Sequence, residues 1–280
     1  MAVVKKKMVS NSLKPTVTAP VSTVMADVTL PGEVSEPMEN LGDYSILLYG
    51  EKKIGKTSLA SKFKDAFFLM FEPGAKALSI YQRPVANWLE FKKYVALLQK
   101  DKKFATIVID PVDIAYQSCA TYICQKLVID HPSDEEWGKG WQAIKEEFTA
   151  EFNKLLHLNK GVIMISHAAE KEIKTRTGDK YHKITATMSG QARDVLEGVV
   201  DIWAYYCYDS GSRTLVIEGD DHIGAGHRLE TRFRYTDGVR ICKIPMGTTA
   251  QEAHDNFMKA FNNELRREAQ KPKLMIKKGV

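Results

Sequence analysis

The chain has 280 residues, of which 44% are hydrophobic and 27% charged, enough apolar content for one substantial globular core. No apolar run reaches the roughly 18 residues that a membrane-spanning helix needs, and the N-terminus lacks the apolar segment of a secretory signal. The four cysteines show no paired metal-ligand spacing and the histidines are scattered, which argues against a zinc site and predicts a cytoplasmic protein.

The two ends of the chain differ in composition from its middle. Residues 1–41 mix Pro, Thr, Val and Ser without helical or strand periodicity, and we predict a disordered N-terminal tail there. The formal net charge of +5 comes mainly from residues 263–280, which form a basic C-terminal tail. Such a tail either contacts nucleic acid or is simply solvated. The folded domain is therefore expected at 42–262.

A complete phosphate-binding loop follows the first predicted strand, 44–49. The sequence from Gly50 to Thr57 matches G-x-x-x-x-G-K-[ST] and leads into a predicted helix at 56–64. In such a loop the backbone N–H groups surround the β-phosphate, the lysine reaches the β- and γ-phosphates, and the hydroxyl ligates Mg²⁺. We predict that ATP and Mg²⁺ are the cofactors, that Thr57 is a metal ligand, and that the nucleotide contacts are Gly50, Glu51, Lys52, Lys53, Ile54, Gly55, Lys56, Thr57 and Ser58.

Carboxylates follow the next two predicted strands. Strand 66–71 ends before Glu72, and after a helix at 87–100 strand 105–109 ends before Asp110. The carboxyl ends of parallel strands meet at one edge of a sheet, which brings both acids toward the loop. We predict that Asp110 is the Walker B metal ligand and Glu72 the catalytic carboxylate that activates water; the alternative for Glu72 is a turn residue. Asp113 is either a second acid or a helix N-cap.

The second half of the domain adds one more buried strand and two hairpins. After helices at 113–129 and 139–158, the predicted strand 162–166 ends in Ser166 and is followed by His167. We predict that Ser166 and His167 sense the γ-phosphate and belong, with Lys56 and Glu72, to the catalytic group. The alternative is that they simply end the strand. Polar β-prone runs predict a hairpin of 172–177 with 180–187. We predict that the last elements are helix 191–196, a hairpin of strand 201–208 with 214–218, and helix 250–268.

Alternation of strands and helices predicts an α/β fold with a mainly parallel sheet flanked by helices and antiparallel hairpins after the fourth strand. The order of the P-loop, Glu72, Asp110 and Ser166-His167 resembles the RecA-type ATPase core. The stretches 49–57, 71–74 and 199–203 are similar to phage-encoded P-loop proteins, a group that includes the Sak-type single-strand annealing proteins. The similarity covers about residues 42–245.

This resemblance implies a DNA-stimulated ATPase that acts on single-stranded DNA in phage recombination or replication. It also implies self-assembly into a ring or filament, and a single-stranded DNA-binding protein is a further candidate partner. Because residues 1–40 look too polar for a polymerisation domain, annealing or accessory work is favoured over strand exchange. An arginine acting in trans on a neighbouring subunit's nucleotide is expected among Arg228, Arg232 and Arg234.

The resemblance places the DNA contact in the segment after the sensor strand, which here is the first hairpin. Alternation along a strand would put Lys174 and Arg176 on one face, and Tyr181 offers a ring for base stacking. The predicted DNA-binding residues are Lys174, Arg176, Lys180 and Lys183; the alternative is a solvated hairpin without a ligand. Two other functions remain open, a P-loop kinase of a nucleotide or small molecule and a nucleotide-switched interaction module.

Overall fold

The computed structural model describes residues 30–267, so the predictions for 1–29 and 268–280 lie outside the described residues. The helices in this range are α1 (Lys56–Ala60), α2 (Trp88–Leu98), α3 (Val112–Leu127), α4 (Lys139–Leu156), α5 (Gly190–Val199) and α6 (Ala250–Phe261). The strands are β1 (Ser45–Gly50), β2 (Ala66–Met70), β3 (Tyr81–Pro84), β4 (Thr106–Asp110), β5 (Gly161–Lys174), β6 (Lys180–Ala186), β7 (Ile202–Asp209), β8 (Ser212–Val216), β9 (Gly226–His227) and β10 (Lys243–Pro245).

The sheet is mainly parallel. Its central strands run in the order β7-β1-β5-β4-β2-β3, and every neighbouring pair among them is parallel. β8 and β10 continue the sheet beyond β7 as antiparallel strands, β9 pairs with β7, and β6 pairs with the second half of β5. This arrangement confirms the predicted fold class, including the antiparallel hairpins after the fourth predicted strand.

Helices cover both faces of the sheet because its strands are buried on both sides. Along β1, Leu47 and Tyr49 join a core that contains apolar residues of α2, α3, α4 and α5. Ile46 and Leu48 point the other way and join a core with residues of α1 and α6. Since strand side chains alternate between faces, these continuous apolar runs are what a strand between two helix layers requires.

The register of the parallel strands brings the functional ends together. Gly50 at the end of β1 lies opposite His167 of β5, and Asp110 at the end of β4 lies opposite Met70 at the end of β2. β5 is inserted between the P-loop strand β1 and the Walker B strand β4. The predicted site residues of three strands therefore share one edge of the sheet.

Asp201 fixes the opposite end of β1. Its Oδ2 accepts hydrogen bonds from the backbone N–H of Ser45 at 2.9 Å and from the Ser45 hydroxyl at 2.6 Å. In return, the Asp201 N–H donates to the Ser45 backbone oxygen at 3.1 Å. Asp201 therefore aligns β7 with β1.

Several elements differ from the predicted ones. β5 is one continuous strand of 14 residues rather than two separate strands, because its second half keeps a partner, β6, after β1 and β4 have ended. α1 stops at Ala60 and α6 at Phe261, earlier than predicted, and the turns that follow contain Asp65 and Asn263 with positive φ. β3 was not predicted because all four of its residues are exposed and show no alternation. β9 and β10 were also missed, since they have only two and three residues.

The start of the folded unit lies slightly before the predicted boundary. Residues 30–37 belong to a separate unit, contain no helix or strand, and expose Leu30 and Val34. The second unit begins at Met38, and Leu41, which was expected in the tail, is fully buried in its core. Within 30–267 no helix has the length and apolar content to cross a membrane.

Candidate active site

The loop between β1 and α1 has a backbone that needs its glycines. Gly55 has φ +111° and Lys53 has φ 65°, so the chain turns through the left-handed region twice before α1 begins. A Cβ on Gly50 would lie 2.0 Å from the backbone oxygen of Tyr206 on the adjacent strand β7. Glycine at 50 is therefore required by close approach of β7, and glycine at 55 by its dihedral angle.

Lys56 is held inside this loop. Its Nζ donates to the backbone oxygens of Gly50 at 2.9 Å and Glu51 at 2.7 Å, and the residue is only 5% exposed. Burial lowers the pKa of Lys56 to about 8, although nearby carboxylates, Asp110 first among them, oppose this shift. At neutral pH the ammonium is therefore mostly charged. It lies where the lysine of a P-loop can reach the phosphates of a bound nucleotide.

Thr57 and Asp110 form the second feature of the site. The Thr57 hydroxyl donates to Asp110 Oδ2 at 2.7 Å, and Asp110 is 6% exposed at the end of β4. Burial raises the pKa of Asp110, and the Thr57 hydrogen bond opposes the shift. Two adjacent hard oxygen donors suit Mg²⁺, which takes its remaining ligands from phosphate and water. In the described range no group of three or more His, Cys, Asp or Glu is placed to hold a metal ion.

Glu72 and His167 lie across the same cavity. His167 Nε2 is 3.9 Å from Glu72 Oε1, and the two side chains are 27% and 46% exposed. His167 Nδ1 is buried and finds no hydrogen-bond partner in residues 30–267. The cavity has a volume of about 550 Å³, and its lining includes Lys52, Lys53, Gly55, Lys56, Thr57, Ser58, Glu72, Asp110 and His167. The structure thus brings most of the predicted site residues together around one space.

Ser166 is not brought to this cavity. It is fully buried, and its hydroxyl donates to Asp113 Oδ1 at 3.0 Å on the opposite face of the sheet from His167. Successive strand residues point to opposite faces, so only one of two neighbouring residues can face the loop. The placement contradicts the prediction that both Ser166 and His167 sense the γ-phosphate, and it leaves His167 as the candidate.

Asp113 connects three elements instead of capping a helix. The N-cap of α3 is Pro111, and Asp113 accepts a second hydrogen bond, at 2.7 Å, from the hydroxyl of Thr187 just after β6. The Thr187 N–H also donates to the backbone oxygen of His167 at 2.9 Å. Thr187 was missed from the sequence, because only the pairing of β5 with β6 shows that it lies beside α3.

The predicted DNA-binding residues do not form one face of the hairpin. β5 ends at Lys174, so Arg176 lies in the turn and the expected alternation with Lys174 is contradicted. Lys174 pairs across the strands with Lys180, whose Nζ is 2.8 Å from Glu172 Oε1 on the same face. Lys183 pairs with Lys171 and therefore faces the other way. The cations Lys174, Arg176 and Lys180 are instead grouped at the tip.

The other residues proposed from the resemblance have partners within the chain. The Tyr181 ring makes an edge contact with His222 at a centroid distance of 5.9 Å. The Arg232 guanidinium lies 4.4 Å from the centroid of the Phe261 ring. Arg228 donates to a backbone oxygen of α5, and Arg234 donates to two backbone oxygens near its own turn. In this structure each of the three candidate arginines is therefore engaged by its own subunit.

Comparison with known proteins identifies a prophage relative and a structural neighbour of this chain. The uncharacterized SPbeta prophage-derived protein YorG of Bacillus subtilis (strain 168) is 32% identical over 145 residues, which are 49% of this chain and 45% of that protein. The chain thus spans about half the length of this curated relative. The solved KaiC-like protein PH0186 of Pyrococcus horikoshii OT3 is 14% identical with a TM-score of 0.43, covering 75% of this chain and 87% of that one.

A family model described as an AAA domain matches residues 43–229, which is more than half of the chain. The match begins just before β1 and includes the P-loop, both candidate carboxylates and the hairpin. The chain therefore belongs to the AAA domain family, and this region is its P-loop ATPase domain.

Proposed function

We propose that this protein is a Mg²⁺-dependent ATPase that binds single-stranded DNA, is stimulated by it, and acts in phage recombination or replication. One observation carries the ATPase part of the proposal: Lys56, Thr57, Asp110, Glu72 and His167, which come from four separate parts of the sequence, surround one cavity. They are the cation, metal ligands and water-orienting groups that phosphoryl transfer to water requires.

Lys56 has the role of binding the β- and γ-phosphates. Its ammonium donates to two backbone oxygens of the loop, and phosphate oxygens entering the loop can replace them as acceptors. Because the residue is buried, the attraction to phosphate is screened less than it would be at the surface. Lys56 is therefore the buried cation of the loop, and the exposed Lys52 and Lys53 add further positive charge to the same cavity.

Thr57 and Asp110 would hold Mg²⁺. The metal, when bound, neutralises charge that develops on the transferred phosphoryl group. Asp110 stays positioned by the hydroxyl of Thr57 and by the end of β4, so the carboxylate does not need to be recruited from elsewhere. Burial destabilises the charged form of Asp110 and raises its pKa, and a nearby cation would stabilise that charged form.

Glu72 is the residue we assign to the attacking water. It is partly exposed, so its carboxylate is open to water, and it lines the same cavity as Lys56. A carboxylate there can accept a proton from that water. His167 lies 3.9 Å from it and can orient the carboxylate or contact the γ-phosphate.

The tip of the hairpin is the proposed contact with single-stranded DNA. Lys174, Arg176 and Lys180 are exposed there, and phosphate neutralisation by such residues gives salt-dependent binding. β5 carries both His167 and Lys174, so one strand connects the nucleotide cavity with this tip. Glu172 neutralises part of the charge, and we therefore expect moderate rather than tight binding.

The biological setting is part of the same proposal. The prophage origin of the relative supports a phage function, and the resemblance to the Sak-type group supports annealing. We further propose a homo-oligomeric ring or filament, contact with a single-stranded DNA-binding protein, and action in the cytoplasm of the host. Size-exclusion chromatography with light scattering, with and without ATP and oligonucleotide, tests the assembly.

The central experiment is ATP turnover with and without poly(dT) and with and without Mg²⁺. We expect turnover to need Mg²⁺ and to rise with poly(dT). Glu72→Gln should remove turnover and keep ATP binding, whereas Glu136→Gln, a glutamate outside the cavity, should behave like the wild-type protein. Turnover without any response to DNA would leave an ATPase but reject the DNA function, and full activity of Glu72→Gln would reject the assignment of the catalytic residue.

A further inference from the structure

A second cavity lies at the other end of the sheet. Its volume is about 700 Å³, and it is formed by Phe67 of β2, the exposed strand β3, the last turns of α2 and the loop between α2 and β4. The nucleotide cavity lies at the carboxyl ends of β2 and β4 and beside His167 of β5. The two cavities therefore lie at opposite ends of the parallel strands. The proposed ATPase chemistry does not use the second cavity.

The interior of this second cavity is apolar and aromatic. The rings of Phe67 and Phe104 stack at a centroid distance of 4.8 Å, and Tyr94 makes an edge contact with Phe67 at 6.1 Å. At the rim, Tyr81 is 53% and Leu97 67% exposed. An open cavity with such a lining can take up one aliphatic or aromatic side chain.

The rim carries positive charge. Arg83, Lys100 and Lys103 line the cavity and are exposed. The acidic residue of the lining, Asp101, lies 3.1 Å from Lys160 and accepts hydrogen bonds from two backbone N–H groups. The backbone hydrogen bond from Phe104 is the main cause that lowers the pKa of Asp101. The charge of Asp101 is thus paired with Lys160 and with backbone N–H groups. The charges of Arg83, Lys100 and Lys103 can therefore attract an anionic ligand.

β3 gives the cavity a free strand edge. It is the last strand on the parallel side of the sheet, and in the described part of the chain no strand pairs with its outer edge. An extended peptide can lie along such an edge and bond to its backbone. Pro84 has no N–H, so this bonded stretch is short and the side chains in the cavity must supply most of the affinity.

From these features we propose that this groove, defined by Tyr81, Arg83, Leu97, Lys103 and Phe104, docks an extended acidic segment of a partner protein through one buried apolar side chain. The charge of the rim favours an anionic ligand. A nucleic acid is less well matched, because Tyr81 is the exposed ring of the groove and Lys103 Nζ already covers it at 3.9 Å from the centroid. Single-stranded nucleic acid binding uses a series of open rings and not one covered ring.

The test is binding of a fluorescein-labelled peptide that alternates aspartate and phenylalanine, measured by anisotropy on the full chain. A peptide with lysine in place of aspartate is the charge control, and unlabelled oligo(dT) is the competitor. Arg83→Glu combined with Lys103→Glu should weaken the binding of the acidic peptide by about tenfold or more, because like charges then face each other. The matched control, Lys139→Glu with Lys145→Glu, changes two exposed lysines of α4 by the same charge and should leave the affinity unchanged.

Each result has a definite reading. Binding of the acidic peptide that only the groove variant weakens supports the proposal, and an unchanged circular dichroism spectrum and urea unfolding midpoint show that this variant is folded. No binding, equal binding of the lysine peptide, or equal weakening by the α4 control overturns it. Displacement of the peptide by oligo(dT) would assign the groove to nucleic acid instead. None of these outcomes depends on whether the nucleotide cavity hydrolyses ATP.

Discussion

The buried ammonium of Lys56 should make ATP binding depend on pH in a defined direction. Burial lowers its pKa from the ordinary 10.5 to about 8, which corresponds to about 3 kcal/mol lost by the charged form. Phosphate recognition requires that charged form. The affinity for ATP should therefore be constant below about pH 8 and fall about tenfold for each pH unit above it, since binding must then take up a proton.

The assay is fluorescence of a methylanthraniloyl-ATP analogue titrated between about pH 6 and about pH 10. Lys56→Arg keeps its charge through this range, so it should bind more weakly but without an inflection near pH 8. Lys52→Ala, which changes an exposed lysine of the same loop, should retain the inflection. An inflection that persists in Lys56→Arg, or a wild-type affinity that does not change above pH 8, would refute the reasoning.

Three further predictions concern the loop and its surroundings. Gly50→Ala should lower the free energy of unfolding by about 1–3 kcal/mol, since the added methyl would lie 2.0 Å from a backbone oxygen of β7; urea unfolding followed by circular dichroism measures this, and an unchanged midpoint contradicts it. Thr57→Val removes the hydroxyl beside Asp110 and should abolish the gain in ATP affinity on adding Mg²⁺, as calorimetry can show; a gain equal to that of the wild type would reject Thr57 as a ligand. Thr187→Val removes a hydrogen bond to Asp113 and should cost about 1 kcal/mol, with faster amide exchange along β6, whereas exchange at the wild-type rate would mean that this bond does not hold the strand.

The nucleotide site could be predicted from sequence because much of its chemistry is local. Residues 50–57 are consecutive, and the backbone geometry that they require follows from two glycines. Glu72, Asp110 and His167 were predicted by a second argument, that the residues after parallel strands share one edge, and the structure places all three around one cavity. That argument places a residue at an edge without needing the contacts between strands.

Ser166 shows where the strand-end argument stops. It adjoins His167 in sequence, yet it faces the opposite side of the sheet. If the register assumed for a strand is wrong by one residue, each side chain is assigned to the wrong face of the sheet. A run of apolar residues that is buried on both faces shows no alternation from which the register could be read. The parity of β5 became known only from its pairing with β1.

Features that depend on distant partners could not be predicted. β3 is a strand because it pairs with β2, and its exposed residues carry no periodic pattern of their own. The hydrogen bond of Thr187 to Asp113 joins residues that are 74 positions apart. The grouping of cations at the hairpin tip depended on where β5 ends, which a polar sequence does not define.

The unequal support of β5 along its length has a practical consequence for engineering. From Val162 to Met164 the strand pairs with β1 on one side and β4 on the other, and β1 continues alone to His167. From Ala168 to Lys174 its ladder partner is β6. We therefore expect mutations and insertions in the outer half of β5 to be accommodated without distorting the inner half, which carries His167. A fluorophore on a cysteine that replaces Thr177, an exposed residue of the tip without a positive φ, would report on events at the tip and leave the ATPase chemistry intact.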